Sequence, residues 1–244
     1  MYDGYGTIYG YYDTFMNGNV DYGRRADFID SIFRKYRVPE IVLDAGCGTG
    51  SFMSKLREKG YDVIGVDIST DMLSIASENN PGSLLLCQDL RELDLYGTVQ
   101  GAVCMQDTLN HLDDIADVES AVQRISLFLE PGSLFFFDLN TEYKIKQVIN
   151  DNTFVYENDD CMLVWQNSTD SELSVDMTLD LFEKDSKGMY TRSTGFIREI
   201  FVNDDSVNNI VKSSGLEILE RYDGDTLDKI KDNTQRILYV TRKS

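Results

Sequence analysis

The sequence lacks any apolar run approaching the roughly 20 residues that span a bilayer. Its opening, Met1-Tyr2-Asp3-Gly4-Tyr5, also lacks the basic, apolar and small-residue order of a secretory signal. A soluble cytoplasmic protein without a membrane partner is the expectation. Histidine is limited to one residue, His111, and the 4 cysteines stand apart at Cys47, Cys87, Cys104 and Cys161. No pair has metal-ligand spacing, so neither a zinc site nor a metal cofactor is expected. Three of the cysteines lie in or beside apolar stretches, as suits reduced, buried thiols.

Positive charge is short as well. The chain has 23 Lys+Arg against 42 Asp+Glu, a formal net charge of -19. Its tight basic groupings are Arg24-Arg25, Arg34-Lys35 and Arg242-Lys243. Binding to nucleic acid needs a basic patch that displaces phosphate counterions, so a small molecule, or else a protein, is the expected partner. Proline is confined to Pro39, Pro81 and Pro131, and nothing repeats or is low in complexity.

What the chain does contain is core-forming material: 244 residues, 42% hydrophobic and 11% aromatic, enough for one large α/β domain or a smaller one with an insertion. Residues 22–37 read as a helix with Ala26, Ile29, Phe33 and Tyr36 on one face, broken by Pro39. Strands at 41–43, 63–66, 84–86 and 102–105 then alternate with helices over 51–59, 71–78 and 115–129. Pro131-Gly132 is expected to turn the chain into a strand at 134–137. Short apolar strands alternating with amphipathic helices indicate a parallel sheet covered on both faces.

The rhythm changes after Asn140. A helix is expected over 141–150. Val175, Met177, Leu179 and Leu181 then alternate with Asp176, Thr178 and Asp180, the period-two pattern of a half-buried antiparallel strand. With strands at 162–165 and 196–201, residues 152–201 read as an inserted antiparallel meander, a lid, substrate or interface region. Residues 1–151 and 202–244 form the main domain, completed by a helix near 205–214 and strands at 216–219 and 237–240.

The sharpest local signal is Leu43-Asp44-Ala45-Gly46-Cys47-Gly48-Thr49-Gly50, between the first strand and its helix. Alternate glycines let the backbone turn tightly and bring N–H groups against a ligand. The dinucleotide fingerprint G-x-G-x-x-G/A does not fit, because the sixth position is Ser51 counted from Gly46 and Met53 counted from Gly48. The pattern resembles motif I of the class I, Rossmann-like S-adenosylmethionine-dependent methyltransferases, D/E-x-G-x-G-x-G, and matches it at every position. The resemblance covers about residues 11–140 with specific motifs, and its opening is similar to a subgroup that includes small-molecule and amino-sugar N-methyltransferases.

The resemblance implies a seven-stranded Rossmann-like sheet with helices on both faces. It also implies S-adenosylmethionine as cofactor, S-adenosylhomocysteine as product, and a set of cofactor-binding residues. Asp44, Ala45, Gly46, Gly48 and Gly50 form the turn. Asp67, ending the second strand, would accept the ribose hydroxyls, with Ile68 and Met72 packing on the adenine. Gln88-Asp89-Leu90 looks like the family's adenine-edge motif, and Gln106 like the residue beside the methionine part. Tyr12 and Tyr22 would close over the cofactor, unless the N-terminal arm serves only for packing.

Methyl transfer chiefly needs the nucleophile aligned and water excluded. Where a proton must leave, His111 is the natural general base, with Asp107 and Tyr12 as further candidates. His111 and Arg198 are candidate acceptor contacts, Arg198 for an acidic group. The Asn/Asp-Pro-Pro-Tyr/Phe signature of methylation on nucleic-acid bases is absent. The reading is methyl transfer to a nitrogen or oxygen of a small molecule, by a monomer or homodimer. A non-catalytic cofactor-binding subunit and a nicotinamide oxidoreductase remain as alternatives.

Overall fold

Side chains of the phenylalanine run alternate between the two faces of the main sheet and are buried on both. The computed structural model describes residues 20–244. Its main sheet consists of β1 (Ile41–Ala45), β2 (Asp62–Asp67), β3 (Leu84–Cys87), β4 (Val99–Cys104), β5 (Leu129–Asn140), β10 (Leu216–Asp223) and β11 (Arg236–Lys243). The order is β10-β11-β5-β4-β1-β2-β3. β11 runs antiparallel to both β5 and β10, and the other pairings are parallel.

Phe135 and Phe137 point to one side, into a core shared with α4 (Ile115–Phe128) and α5 (Asp204–Ser213). Leu134 and Phe136 point to the other, against α1 (Tyr22–Tyr36) and α2 (Ser51–Glu58). Both faces of a parallel sheet are thereby buried, as its continuous apolar strands require. The helix starts follow local chemistry: Asp21, Ser69, Asp114 and Asn203 each cap the backbone N–H three residues on, Ser69 for α3 (Thr70–Asn79).

Two expectations change. Pro131-Gly132 does not precede β5 but sits inside it: the pairing jumps from Val99↔Leu129 to Gly101↔Leu134. The extra residues bulge out, with Gly132 at φ +79°. The helix expected over 141–150 is a widened π-helical turn, Lys144–Ile149. It bridges the two sheets, burying Ile145 and Ile149 in the core of the second.

That second sheet is a meander of β6 (Thr153–Glu157), β7 (Cys161–Thr169), β8 (Val175–Lys184) and β9 (Tyr190–Glu199). Val175, Met177, Leu179 and Leu181 bury its apolar face. On the opposite face Asp180 accepts from Arg192 and Thr194, and Asp176 from Arg198. The acidic face read from the sequence is therefore matched by arginines of the neighbouring strand. Among the described residues no helix is long and apolar enough to cross a membrane.

Candidate functional site

The glycine turn folds back on the end of β2. The N–H groups of Gly46 and Cys47 donate to the Val66 carbonyl at 2.7 and 3.0 Å, and Gly48 N–H donates to Asp67 Oδ2 at 2.8 Å. The glycines serve different ends. A Cβ on Gly46 would strike Thr108 in the loop after β4, whereas one on Gly48 would meet no described atom within 4 Å. Gly48, at φ +52°, therefore borders open space at the carboxyl edge of the sheet, where ligands of α/β folds bind.

Asp67 presents its other oxygen to Ser69 N–H at 2.9 Å. Burial pushes its carboxyl up, against the pull of these backbone donors and of nearby His111. Ile68 beside it is exposed, while Met72 and Ala45 are buried. Asp44 lies behind the turn, fully buried, and its Oδ2 has no hydrogen-bond partner among the described residues. Burial first, and Asp67 second, push its carboxyl up to about 7. Gln106 Nε2 is likewise buried without a partner. An open glycine cradle, a buried carboxyl oxygen and a buried amide nitrogen suit a ligand with both donors and acceptors, as S-adenosylmethionine has.

Other expected cofactor residues are engaged elsewhere. Gln88 clasps its own loop, bonding the Asp94 backbone in both directions at 2.9 and 3.1 Å. Asp89 is gripped by the Arg91 guanidinium, which holds its carboxyl below the usual range. Leu90 is buried in the core, and Tyr22 packs toward Phe52 with ring centroids 6.3 Å apart. Tyr12 lies outside the described residues.

The loop after β4 is the most constrained part of the site. Gln106 and Asp107 both have left-handed backbones, φ 60° and 65°, a conformation costly for side-chain-bearing residues. Asp138 on β5 accepts both of their N–H groups, at 3.1 and 3.0 Å. Arg236 from β11 pairs with Asp107 and Asp138, and Lys144 Nζ lies 3.6 Å from Asp107. Burial would raise the Asp107 carboxyl, but these two cations outweigh it and hold it well below the carboxylate range. A carboxylate kept ionised in this way is a weak proton acceptor.

His111 ends the 3-10 turn Thr108–His111. Its Nδ1 lies 3.4 Å from the Arg198 carbonyl and its Nε2 3.7 Å from Glu199 Oε1. Strand alternation in β9 puts Arg198 and Glu199 on opposite faces, and it is Glu199 that meets the histidine. The Arg198 guanidinium is bound to Asp176 and Asp170 on the far face.

The sequence reading missed Asp138, Asn140, Lys144, Glu199 and Arg236. Asp138 and Asn140, at the carboxyl end of an apolar strand, carried a recognisable signal. Glu199 and Arg236 carried none, since they come from antiparallel strands distant in sequence.

A seven-stranded sheet of this order, with one reversed strand and a glycine turn after β1, defines the class I methyltransferase fold. A family model described as a methyltransferase domain matches residues 43–137. YqeM of Bacillus subtilis strain 168, provisionally named a methyltransferase, is 33% identical over 188 residues, 75% of this chain and 73% of that protein. A crystal structure of an S-adenosylmethionine-dependent methyltransferase from Clostridium acetobutylicum superposes with a TM-score of 0.89 at 28% identity, covering 98% of this chain and 99% of that one. The chain belongs to the S-adenosylmethionine-dependent methyltransferase family. A dTDP-3-amino-3,6-dideoxy-alpha-D-glucopyranose N,N-dimethyltransferase of Streptomyces fradiae is 30% identical over 131 residues, 53% of this chain and 51% of that protein. The amino pentose methyltransferase CalS10 of Micromonospora echinaspora shares the fold, with a TM-score of 0.76 at 20% identity over 96% of both chains.

Proposed function

We propose that this enzyme methylates the amine of a small-molecule acceptor in the cytoplasm, with His111 receiving the proton that the acceptor loses. The observation that carries the reading is the placement of His111 at the carboxyl edge of the sheet, beside Glu199 and near Asp67. Carboxylates around an imidazole favour a cationic or proton-losing nitrogen over an anionic acceptor. The amino-sugar relatives support the same class. Asp44, Gly48, Asp67 and Gln106 would hold the cofactor, which supplies an electrophilic methyl group when bound. The chain's own work is alignment and exclusion of water, worth more than acid–base help in a reaction of this kind.

Residues 152–201 are assigned here to the acceptor side, because β9 delivers Glu199 to His111. The N-terminal arm with Tyr12 is assigned to covering the cofactor, and deletion of residues 1–20 should weaken S-adenosylhomocysteine binding in a folded protein. The direct test is release of S-adenosylhomocysteine during incubation with a panel of small amines, amino-sugar nucleotides and matched alcohols. Release with amines and a loss of about 10²–10⁴ in kcat for His111→Gln are expected. Turnover confined to alcohols, or His111→Gln at full activity, would refute the reading.

A further inference from the structure

Glu199 differs from the other buried carboxylates around the acceptor side. Asp138 pairs with Arg25 and Arg236, and Asp107 pairs with Arg236 and Lys144. Glu199 is only 6% exposed, yet among the described residues no lysine or arginine comes within ion-pairing distance of it. Its Oε2 accepts from Asn140 Nδ2 at 2.8 Å. Its Oε1 faces His111 Nε2 at 3.7 Å, beyond hydrogen-bond reach. One carboxylate oxygen is thus held, and the other accepts no hydrogen bond among the described residues.

The fold fixes this carboxylate from two sides. Asn110, fully buried, donates from Nδ2 to the Ile200 carbonyl at 2.8 Å and accepts Ile200 N–H on its own carbonyl at 2.8 Å. Its Oδ1 accepts from Asn140 N–H at 3.1 Å. Lys144 Nζ donates to Asn140 Oδ1 at 2.7 Å, which orients the amide with its Nδ2 toward Glu199. The end of β9 is therefore tied to the end of β5 and to the turn carrying His111. A side chain anchored in this way loses little freedom when a ligand binds it.

A buried carboxylate without a cation is costly. Burial and Asp107 push the Glu199 carboxyl up, with His111, Lys144 and Arg236 opposing. An incoming cationic nitrogen supplies the missing charge. We propose that Glu199 Oε1 anchors the acceptor nitrogen and selects a primary amine over an alcohol. This role presupposes the amine acceptor and the His111 base proposed above. The nitrogen lone pair becomes the new N–C bond, the old C–S pair stays on sulfur, and the positive charge passes to nitrogen. An N–H donated to Oε1 strengthens as that charge develops, so the carboxylate favours the transition state. A primary amine has one N–H to lose to His111 and another to donate to Oε1. An alcohol has a single O–H and cannot serve both.

The anchor can be probed without the natural acceptor. Suitable ligands are analogues of S-adenosylmethionine in which nitrogen replaces sulfur and a 2-aminoethyl or 2-hydroxyethyl arm replaces the methyl. Either arm enters the acceptor side along the path of methyl transfer. In calorimetric titration the wild type should bind the aminoethyl analogue about 10- to 150-fold more tightly than the hydroxyethyl one. Glu199→Gln should abolish that preference while still binding S-adenosylhomocysteine, which carries no arm. Glu199→Asp, with its carboxylate drawn back by one methylene, should move the preference to a 3-aminopropyl arm. No preference in the wild type, or an undiminished one in a folded Glu199→Gln protein, overturns the proposal. Where Glu199→Gln does not fold, an unshifted preference in Glu199→Asp overturns it instead. The amine reading is judged separately, by turnover of amines against alcohols. Amine turnover without an arm preference condemns the Glu199 role alone.

Discussion

Arg236 and Asp138 form a buried ion pair, with Nη1 3.1 Å from Oδ1 and both side chains almost wholly out of solvent. The pair comes from adjacent antiparallel strands and lies beneath the loop that carries Gln106 and Asp107. Asp138 also takes Arg25 of α1 at 3.4 Å. One carboxylate therefore satisfies two guanidinium groups and two strained backbone N–H groups.

Breaking such an arrangement removes the one buried carboxylate shared by Arg25 and Arg236 and leaves two strained N–H groups without their acceptor. Asp138→Asn should lower the unfolding free energy by about 3–5 kcal/mol and weaken S-adenosylhomocysteine binding as the 106–107 turn relaxes. Urea denaturation checks the first effect and calorimetric titration the second. An unchanged denaturation midpoint would show that the pair carries no net stability.

Gly48 and Gly46 should respond differently to alanine. Gly48→Ala meets no described neighbour, so it should fold with about 1–3 kcal/mol of backbone strain and lose cofactor affinity because its methyl fills the cradle. Gly46→Ala collides with Thr108 and should lose stability first. Thermal melts with and without S-adenosylhomocysteine separate the two. Normal binding by a folded Gly48→Ala protein would move the ligand away from this turn.

Asp67→Ala removes a carboxylate at the mouth of the site and should weaken S-adenosylhomocysteine binding by about 1.5–3 kcal/mol, roughly 10- to 150-fold. For the wild type, ligand at about 100 times its Kd should stabilise the fold by about 2.7 kcal/mol, a melting shift of several degrees. Equal affinity in the variant would mean that Asp67 serves only its backbone donors.

Asp44 makes the unliganded protein sensitive to pH. Its carboxyl titrates at about 7 in the fold and near 3.9 unfolded, so the native state binds the extra proton between those values. The stability this contributes is complete below about pH 4 and is lost as pH rises through about 7, with a slope of at most about 1.4 kcal/mol per pH unit. Asp44→Asn should flatten the stability profile between about pH 4.5 and 7.5. Parallel profiles for wild type and variant would contradict a raised Asp44.

The sequence by itself determined the glycine turn, the helix starts and the division into a parallel sheet and an antiparallel meander. Each depends on residues within a few positions of one another: a positive φ open to glycine, a side chain capping an N–H nearby, a burial period of two. The strand around Phe135–Phe137 was legible for that reason, but the bulge at Pro131-Gly132 was not, because it arises from register against β4. Only the tertiary structure decided which polar groups meet at the site. Arg236 reaches Asp107 across 129 positions, and Asn110 reaches Ile200 across 90. Local pattern likewise did not show that Asp89 pairs with Arg91, or Arg198 with Asp176 and Asp170. A charge buried at the edge of a sheet must find its partner in space, and no spacing along the chain specifies which partner that is.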